Sequence, residues 1–589
     1  MVNHQAVQVS GRDSLFCLER EGEFMKKTIA VLLTLCLFTV LLAVPSFAAG
    51  NKSEEEQDMG VLADVLGAMD TAYVGSDLKL YVKPDPAAGL PTKSKVKFHY
   101  NDLNGAVYFP GDVDPSGMCL SWDDPDLTLS KGGKTYVSGK APIAPVGKTV
   151  TYTTNSGAVL SIETCRGSKN VGALFLTVDE KKGSIKAMNN DPDHETSCYG
   201  KAMFDGKTKY MSLKGRGNST WVFPKKPYNI TFYDDATYDG KDGVKMIKGV
   251  KAKKWSLVAN HLDASLLRNK IAMDLADDLG IGMKTRFMDV WMNGSYLGNY
   301  LVTPKNDYDT PDGGYQLEND NYIDTDSFQL PGMFEIGTIP GVTVLGSGYN
   351  NRICIKDVGD GAKAAGLKNK DIEKHFLKAW AAVEDYDSEE YQQYFDMDSW
   401  AKMYLMYEMA KSYDCYAGSL LMHRDGLTKN DKLIAGPAWD YDIAFGRTLH
   451  KFFVGISEPM QINAEGWYID HIGADLSDQP ISLLQELHKH KSFRTHVAKI
   501  YKEYEWAFKD SAANVDRQKA LIRDSALMNN ERWLTNNLCA DYVVAPNTMR
   551  AIGTGKYKLN YQITTTWNDY VANLKEWCTK RALWLSDHT

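Results

Sequence analysis

Three aspartates in the second half of the chain have the types and spacing that chemistry requires. Asp414 comes shortly before the apolar run 420–422, and Asp440 and Asp442 follow the apolar run 433–435. The polar stretch between the two runs is typical of a turn, so the pattern predicts two paired strands. Neighbouring strands lie about 5 Å apart. The three carboxylates are therefore predicted to face one cleft, where they could hold a metal ion and a base together.

The run Trp439–Asp442 adds a second argument. In an extended strand, Asp440 and Asp442 point to one face while Trp439 and Tyr441 point to the other. Two like charges on one face repel by roughly 0.2 to 1 kcal/mol unless a cation lies between them. The pattern indicates a metal or another cationic partner, although an isolated loop Asp is more often a turn former or a helix cap.

A second polar stretch, KGRGNSTWVFPKK, precedes a predicted strand at 228–232. The glycines on either side of Arg216 let the backbone approach a ligand closely. Arg216 and Lys214 supply positive charge, Lys225 and Lys226 lead into the strand, and the whole stretch would suit a phosphate group. The same residues also suit a tight hairpin with solvated lysines, and GRGN is not the P-loop pattern.

The elements that position these residues follow from periodicity. A buried strand is predicted at 254–259, and Asp263 then caps a helix from 264 to 279. Four apolar residues recur on one face of that helix and are predicted to point inward: Leu267, Ile271, Leu275 and Leu279. Arg268 lies beside this stripe, where it could reach the cleft or pair with a surface carboxylate.

Further along, Asn293-Gly294 between the apolar runs 287–292 and 296–302 predicts a tight hairpin. The region 308–360 is rich in Asp, Gly and Pro and predicts long loops with short strands. Helices are predicted at 370–384, 398–411, 482–489, 493–508, 514–530 and 566–586. On the last of them, Trp577, Arg581 and Trp584 could latch the helix to the main body.

Length, charge and the front of the chain set the class of protein. A length of 589 residues predicts two or three domains. The net charge of -8, with no basic tract, argues against nucleic-acid binding. Residues 1–24 are predicted to be untranslated, with the true start at Met25, and 25–49 to be a signal peptide. The mature protein is thus expected outside the cell or on its surface, with no membrane span after cleavage.

Four motifs in this order resemble the CotH family of secreted and spore-coat atypical protein kinases: KGRGNSTWVFPKKPYNITF, KKWSLVANHLDASLLRNKIAMDLADDLG, MNGSYLGNYLV and GPAWDYDIAFG. The match covers about residues 170 to 447, with a weaker echo through the C-terminal helices. The resemblance implies an α+β, atypical protein-kinase-like fold over 168–455. A tether at 50–76 and a β-rich domain at 77–167 would precede it, and a helical C-terminal part of the same body at 456–589 would follow.

The resemblance also implies a reaction, the transfer of the ATP γ-phosphate to Ser or Thr of extracellular, cell-surface or spore-coat proteins with Mg²⁺ or Mn²⁺. Asp414 matches the catalytic Asp and Asp440 the metal-binding Asp, with help from Asp442. The residues implied to bind the nucleotide are Lys226, Arg216, Asn218 and Arg268.

Two departures from the family pattern bear on catalysis. Ser419 stands where many relatives carry Asn, and a hydroxyl is a weaker ligand for a second metal. Pro304 stands where many carry Glu. A non-catalytic surface or coat scaffold, whose β domain binds matrix or glycan, therefore stays open. A glycosidase that uses Asp414 and Asp440 is disfavoured, because Lys226 and the GRGN loop would have no role in it.

Overall fold

The computed structural model describes residues 79–84, 90, 96–217, 219–261, 263–307, 310–320, 333–335, 352–412, 414, 418–447, 463–471, 482–533 and 566–589. The expected leader, signal peptide and tether, together with Asn218, lie outside these residues. Among the described residues, no helix combines the length and the apolar character needed to cross a membrane.

The first part of the described chain is a nine-stranded sheet. Its strands are β1 Leu80–Val82, β2 Phe98–Asn101, β3 Ala106–Phe109, β4 Cys119–Trp122, β5 Leu129–Lys131, β6 Lys134–Tyr136, β7 Ala141–Pro142, β8 Thr149–Thr154 and β9 Val159–Arg166. Their order in the sheet is β6-β5-β8-β9-β3-β2-β1-β4-β7. Along β8, exposed and buried residues alternate, as expected when one face of a sheet is covered. The covered face packs against rings of the following body, with Phe98 6.1 Å from Trp291 and Tyr108 4.9 Å from Tyr296 between ring centroids.

The second part is a closed barrel of seven strands. The elements in this region are β10 Gly172–Val178, α1 Ile185–Asn189, β11 Ser197–Phe204, β12 Lys207–Gly215, β13 Tyr228–Tyr233, β14 Val244–Ile247, β15 Val250–Ala252, β16 Lys254–Val258, α2 Arg268–Asp278, β17 Arg286–Met292 and β18 Ser295–Pro304. The barrel order is β10-β11-β12-β13-β16-β18-β17, and β14 with β15 forms a separate hairpin. Asn293 and Gly294 both have positive φ, as the turn between β17 and β18 requires, so the predicted hairpin is confirmed.

A second sheet follows the barrel. Its strands are β19 Tyr315–Asp320, β20 Met333–Glu335, β21 Arg352–Val358, β22 Gly418–Arg424 and β23 Ile434–Ala435, in the order β20-β21-β19-β22-β23. Strands β22 and β23 are antiparallel, with Met422 opposite Ala435. The predicted pair of strands in the second half of the chain is therefore confirmed.

The helices after the barrel are α3 Asp360–Ala364, α4 Asn369–Glu384, α5 Met397–Ala410, α6 Leu483–Lys489, α7 Lys491–Trp533 and α8 Trp567–His588. The predicted helices at 370–384, 398–411, 482–489 and 566–586 are confirmed within a few residues. The separate helices expected at 493–508 and 514–530 are wrong, because α7 is continuous. The intervening sequence KDSAA contains no Gly or Pro, and Ser511 and Val515 continue the buried face.

Helix α2 differs from the prediction at its start. It begins at Arg268 rather than at 264, because the Asp263 carboxylate accepts hydrogen bonds from the N–H groups of Ser265 and Arg268 and holds an extra turn there. Leu266 in that turn has a φ of +63°. The four residues of the predicted inward stripe are all buried. The described chain is thus a mixed α+β protein, as predicted.

Candidate active site

The three aspartates lie at one end of the β22–β23 hairpin. Asp414 precedes β22 and is buried, and Asp440 and Asp442 follow β23. Because the two strands are antiparallel, the start of β22 and the chain that leaves β23 are at the same end. The predicted pairing of the two strands is confirmed, and the expectation that all three carboxylates face one cleft stays a prediction.

The chain after β23 is not an extended strand, so the alternation expected for Asp440 and Asp442 does not apply. Asp440 has a φ of +64°, a left-handed conformation that is uncommon outside Gly and enriched in Asp and Asn. The two carboxylates nevertheless interact. Burial, and then the negative charge of Asp440, raises the pKa of Asp442 to about 7. Burial also raises the pKa of Asp440.

Arg216 supplies the cation that the sequence pattern called for. Its guanidinium carbon lies 5.3 Å from the centroid of the buried Trp439 ring. Its positive charge opposes the rise in the pKa of Asp440, and it also lowers the pKa of Asp442. The structure thus brings Arg216, from the glycine-containing loop after β12, together with the two aspartates after β23.

A further acidic residue, Glu318 on β19, was missed by the sequence argument. Its charge raises the pKa of Asp440 and interacts with Arg216. Glu318 forms an ion pair with Lys356 on β21, the strand beside β19. The alternation of β19, in which Tyr315 and Leu317 face the apolar core, is a signal that could have placed Glu318 on the opposite face.

Helix α2 holds the aspartate segment in place. The Tyr441 N–H donates to Asn269 Oδ1 over 2.7 Å, and Arg268 Nε donates to the Ala444 carbonyl over 3.0 Å. Arg268 Nη1 also donates to Asp263 Oδ1 over 2.6 Å, and both side chains are buried. Arg268 is therefore placed as a support of the site, and its contact with a nucleotide stays a prediction.

The two lysines of the KK pair are bound by the barrel. Lys226 Nζ donates to the Trp221 carbonyl and lies 4.7 Å from the centroid of the Trp221 ring. Lys225 is fully buried and donates to the carbonyls of Ala259 and Asn299 over 2.6 and 2.5 Å. None of these contacts involves Asp414, Asp440 or Asp442. A role for Lys226 on phosphate stays a prediction, and it requires the ammonium group to leave Trp221.

The start of β22 carries the other predicted residues. The Asp414 N–H lies 3.4 Å from Ser412 Oγ, its acceptor. Ser419 has a φ of +63°, and its carbonyl lies 3.5 Å from the Tyr407 hydroxyl that donates to it. Ser419 is half-buried. Its assignment as a metal ligand stays a prediction.

A divalent ion such as Mg²⁺ needs oxygen ligands, and the two aspartates after β23 carry them. Within the described ranges, no group of three or more His, Cys, Asp and Glu side chains is arranged to hold a metal. Mg²⁺, however, binds through one or two carboxylates and keeps several waters. Asp440 and Asp442 meet that requirement. Burial, and for Asp442 also the charge of Asp440, raises their pKa values, and a bound cation would favour the ionised carboxylates.

The sequence matches the model of one protein family over the region that contains this site. The CotH kinase protein family model matches residues 213–585, more than half of the chain, and the chain belongs to this family. The match includes the Arg216 loop, all three aspartates and most of α8, so it reaches further toward the C-terminus than the four motifs indicated.

A curated relative matches a smaller part. The chain is 27% identical over 251 residues to the inner spore coat protein H of Bacillus subtilis (strain 168), which is 41% of this chain and 60% of the relative. The chain therefore spans about three fifths of the length of that relative.

Proposed function

We propose that this protein is a CotH-type protein kinase that transfers the ATP γ-phosphate to Ser or Thr hydroxyls of extracellular, cell-surface or spore-coat proteins. One observation carries the proposal. Two electrostatically coupled carboxylates, Asp440 and Asp442, share one end of a strand pair with the buried Asp414, and the cationic Arg216 lies beside them. Phosphoryl transfer requires this combination of an acceptor-orienting Asp, metal-binding carboxylates and a cation.

Each residue then has a task in the reaction. Asp414 orients the acceptor hydroxyl and accepts its proton. Asp440 and Asp442 would hold the divalent ion, which when bound supplies charge neutralisation to the phosphate oxygens. Arg216 offers a planar donor fork that matches phosphate oxygens.

Two lysines are candidates for the phosphate-binding lysine. The family motif suggests Lys226 for this role. The structure suggests Lys356, because it forms an ion pair with Glu318, whose charge affects the pKa of Asp440. In protein kinases a Lys–Glu ion pair must be in place beside the metal-binding Asp. The kinase-like fold itself is part of the proposal, supported by this pair and by the position of the cluster between the barrel and the second sheet.

The substrate class and the location are inferred from the relative and from the predicted signal peptide. The relative is named as an inner spore coat protein. We infer that this chain acts on proteins of a coat or cell surface after export. If catalysis is absent, the same body would serve there as a scaffold.

The experiment is transfer of labelled phosphate from γ-labelled ATP, with Mg²⁺ or Mn²⁺, to coat and surface proteins and to the chain itself. The variants are Asp414→Asn and Asp440→Asn, and the matched control is Asp360→Asn, whose side chain is 95% exposed. We expect transfer by the natural chain and the control only. A folded natural chain that transfers phosphate to no acceptor with either metal would favour the scaffold.

A further inference from the structure

Three residues along helix α8 contact elements that hold the candidate active site. At its start, Trp567 Nε1 donates to the Ser265 carbonyl over 3.0 Å, in the turn before α2. In its middle, Trp577 lies so close to Gly446 that a Cβ at this position would come within 2.7 Å of the ring. One turn later, Arg581 enters the core and is fully buried.

Arg581 uses its whole guanidinium group. Nη2 donates to Glu408 Oε2 over 2.7 Å and Nε to the Glu408 carbonyl over 2.9 Å. Nη1 donates to the carbonyls of Ala464 and Gly466 over 3.0 and 2.7 Å. The Glu408 carboxylate also accepts hydrogen bonds from two backbone N–H groups of the segment 463–471. The fork thus joins α8, α5 and that segment.

The end of α5, next to Glu408, contacts the segment that carries Asp440 and Asp442 and leads directly into the segment that carries Asp414. The Ala410 carbonyl accepts a hydrogen bond over 2.7 Å from the N–H of Phe445, three residues after Asp442. Lys411 then begins the turn toward Asp414 with a φ of +46°. Its side chain is buried, and Nζ donates to the Glu465 carbonyl over 2.6 Å. A displacement of the α5 end would therefore move Asp414 and the pair Asp440 and Asp442 relative to each other.

We propose that Arg581 is a positioning residue, which fixes the end of α5 through Glu408 and so sets the spacing between Asp414 and the two metal-binding carboxylates. It reaches none of the reacting groups. The catalytic role of those aspartates rests on the proposed kinase function, whereas the contacts that join Arg581 to the end of α5 do not depend on it. A buried charge pair is a poor source of stability but can specify one geometry, and at this position that geometry is the one the reaction needs.

The test uses three variants of the full chain. Arg581→Lys keeps the charge but loses the fork. The double variant Glu408→Gln with Arg581→Met removes both charges, so that no buried carboxylate is left unpaired if the single change fails to fold. The matched control is Lys580→Met, one residue away on α8, where the ion pair with Glu576 is exposed.

We expect kcat to fall at least tenfold in the double variant and less in Arg581→Lys, while the Kd for nucleotide with Mn²⁺ changes less than twofold. Hydrogen exchange of the Phe445 amide should become at least tenfold faster in the double variant. A folded double variant with natural kcat, or one that loses nucleotide binding together with kcat, would overturn the positioning role. An unchanged Phe445 exchange rate would overturn it as well.

The exchange measurement also separates the two proposals. If the natural chain transfers no phosphate, the kinase assignment fails, and the Phe445 amide still decides whether Arg581 fixes the site. Faster exchange in the folded double variant, with Lys580→Met unchanged, supports the connection of Arg581 to the end of α5 without any activity.

Discussion

The Tyr441 N–H donates to Asn269 Oδ1 over 2.7 Å, and this bond joins α2 to the residue between the two site carboxylates. The Asn269 side chain is itself held by Asn260 Oδ1, which accepts from Nδ2 over 3.0 Å. Within the part of the chain that the structure describes, the segment 439–442 pairs with no strand, and side chains from other elements hold it. Asn269 is therefore one of the side chains that hold the segment between the two site carboxylates.

Asn269→Ala should destabilise the fold by about 1–3 kcal/mol, because a buried N–H loses its acceptor. It should also weaken Mn²⁺ binding, because Asp440 and Asp442 lose the support between them. Urea denaturation and metal titration measure the two effects. The control is Asn430→Ala, on the exposed turn between β22 and β23. If Asn269→Ala is destabilised but binds Mn²⁺ as tightly as the natural chain does, this hydrogen bond does not position the metal-binding carboxylates.

Asp440→Asn should leave the fold intact and abolish metal-dependent nucleotide binding, since a neutral amide is a much poorer ligand for a hard divalent ion. Calorimetric titration of ATP with Mg²⁺ provides the measurement, and Asp360→Asn serves as the control. The metal role of Asp440 would be wrong if the affinity of the variant matched that of the natural chain.

Asp414→Asn should lower phosphoryl transfer by orders of magnitude and leave ATP affinity nearly intact, because a residue that orients the acceptor acts in the transition state. Single-turnover rates and nucleotide binding are measured on the same preparation. An equal loss of transfer rate and ATP affinity would show that Asp414 acts as a metal ligand and not as the residue that orients the acceptor.

Ser419→Asn should raise activity, because an amide carbonyl is a better second-metal ligand than a hydroxyl. The φ of +63° at this position suits Asn, which tolerates the left-handed region. Metal dependence of the transfer rate gives the result, with Ser419→Ala for comparison. A rate no higher than that of the natural chain would remove Ser419 from the metal site.

Asp289 gives a pH-dependent prediction away from the site. Burial raises its pKa from 3.8 to about 6, while hydrogen bonds from Ser525, Asn299 and Tyr296 oppose that rise. The folded state thus binds the proton more tightly than the unfolded state, and the stability gained from this group is complete below pH 3.8 and is lost as pH rises through 6.

Asp289→Asn should therefore remove a pH dependence of the free energy of unfolding of about 2.5 kcal/mol between pH 4 and pH 7. Urea denaturation at several pH values measures it. The exposed Asp360→Asn should keep the natural slope. A slope in Asp289→Asn equal to that of the natural chain would contradict the raised pKa.

Local signals in the sequence predicted a large share of this fold. The Asn293-Gly294 turn, the stripe on α2 and the strand pair before Asp440 depend on residues close in sequence, where turn chemistry and periodicity act directly. The break expected in α7 failed for the opposite reason, because no local signal for it existed and packing over the whole helix decided.

The site was predicted less completely, because its contacts are distant in sequence. Nothing local indicates that Arg216 lies over Trp439 or that the charge of Glu318 acts on Asp440. The left-handed conformation of Asp440 could not be predicted from the alternation of side chains along a strand, because that alternation holds only for an extended chain.

The ion pair of Glu408 and Arg581 joins residues 173 positions apart. During synthesis from the N-terminus, Glu408 is made long before its counterion, and closing so long a loop is entropically costly and slow. The emerging chain can fold its barrel, all of which precedes α5, while the end of α5 still lacks its partner. We therefore expect α8 to dock last, so that a chain interrupted before its final 22-residue helix would contain every proposed catalytic side chain and still be inactive.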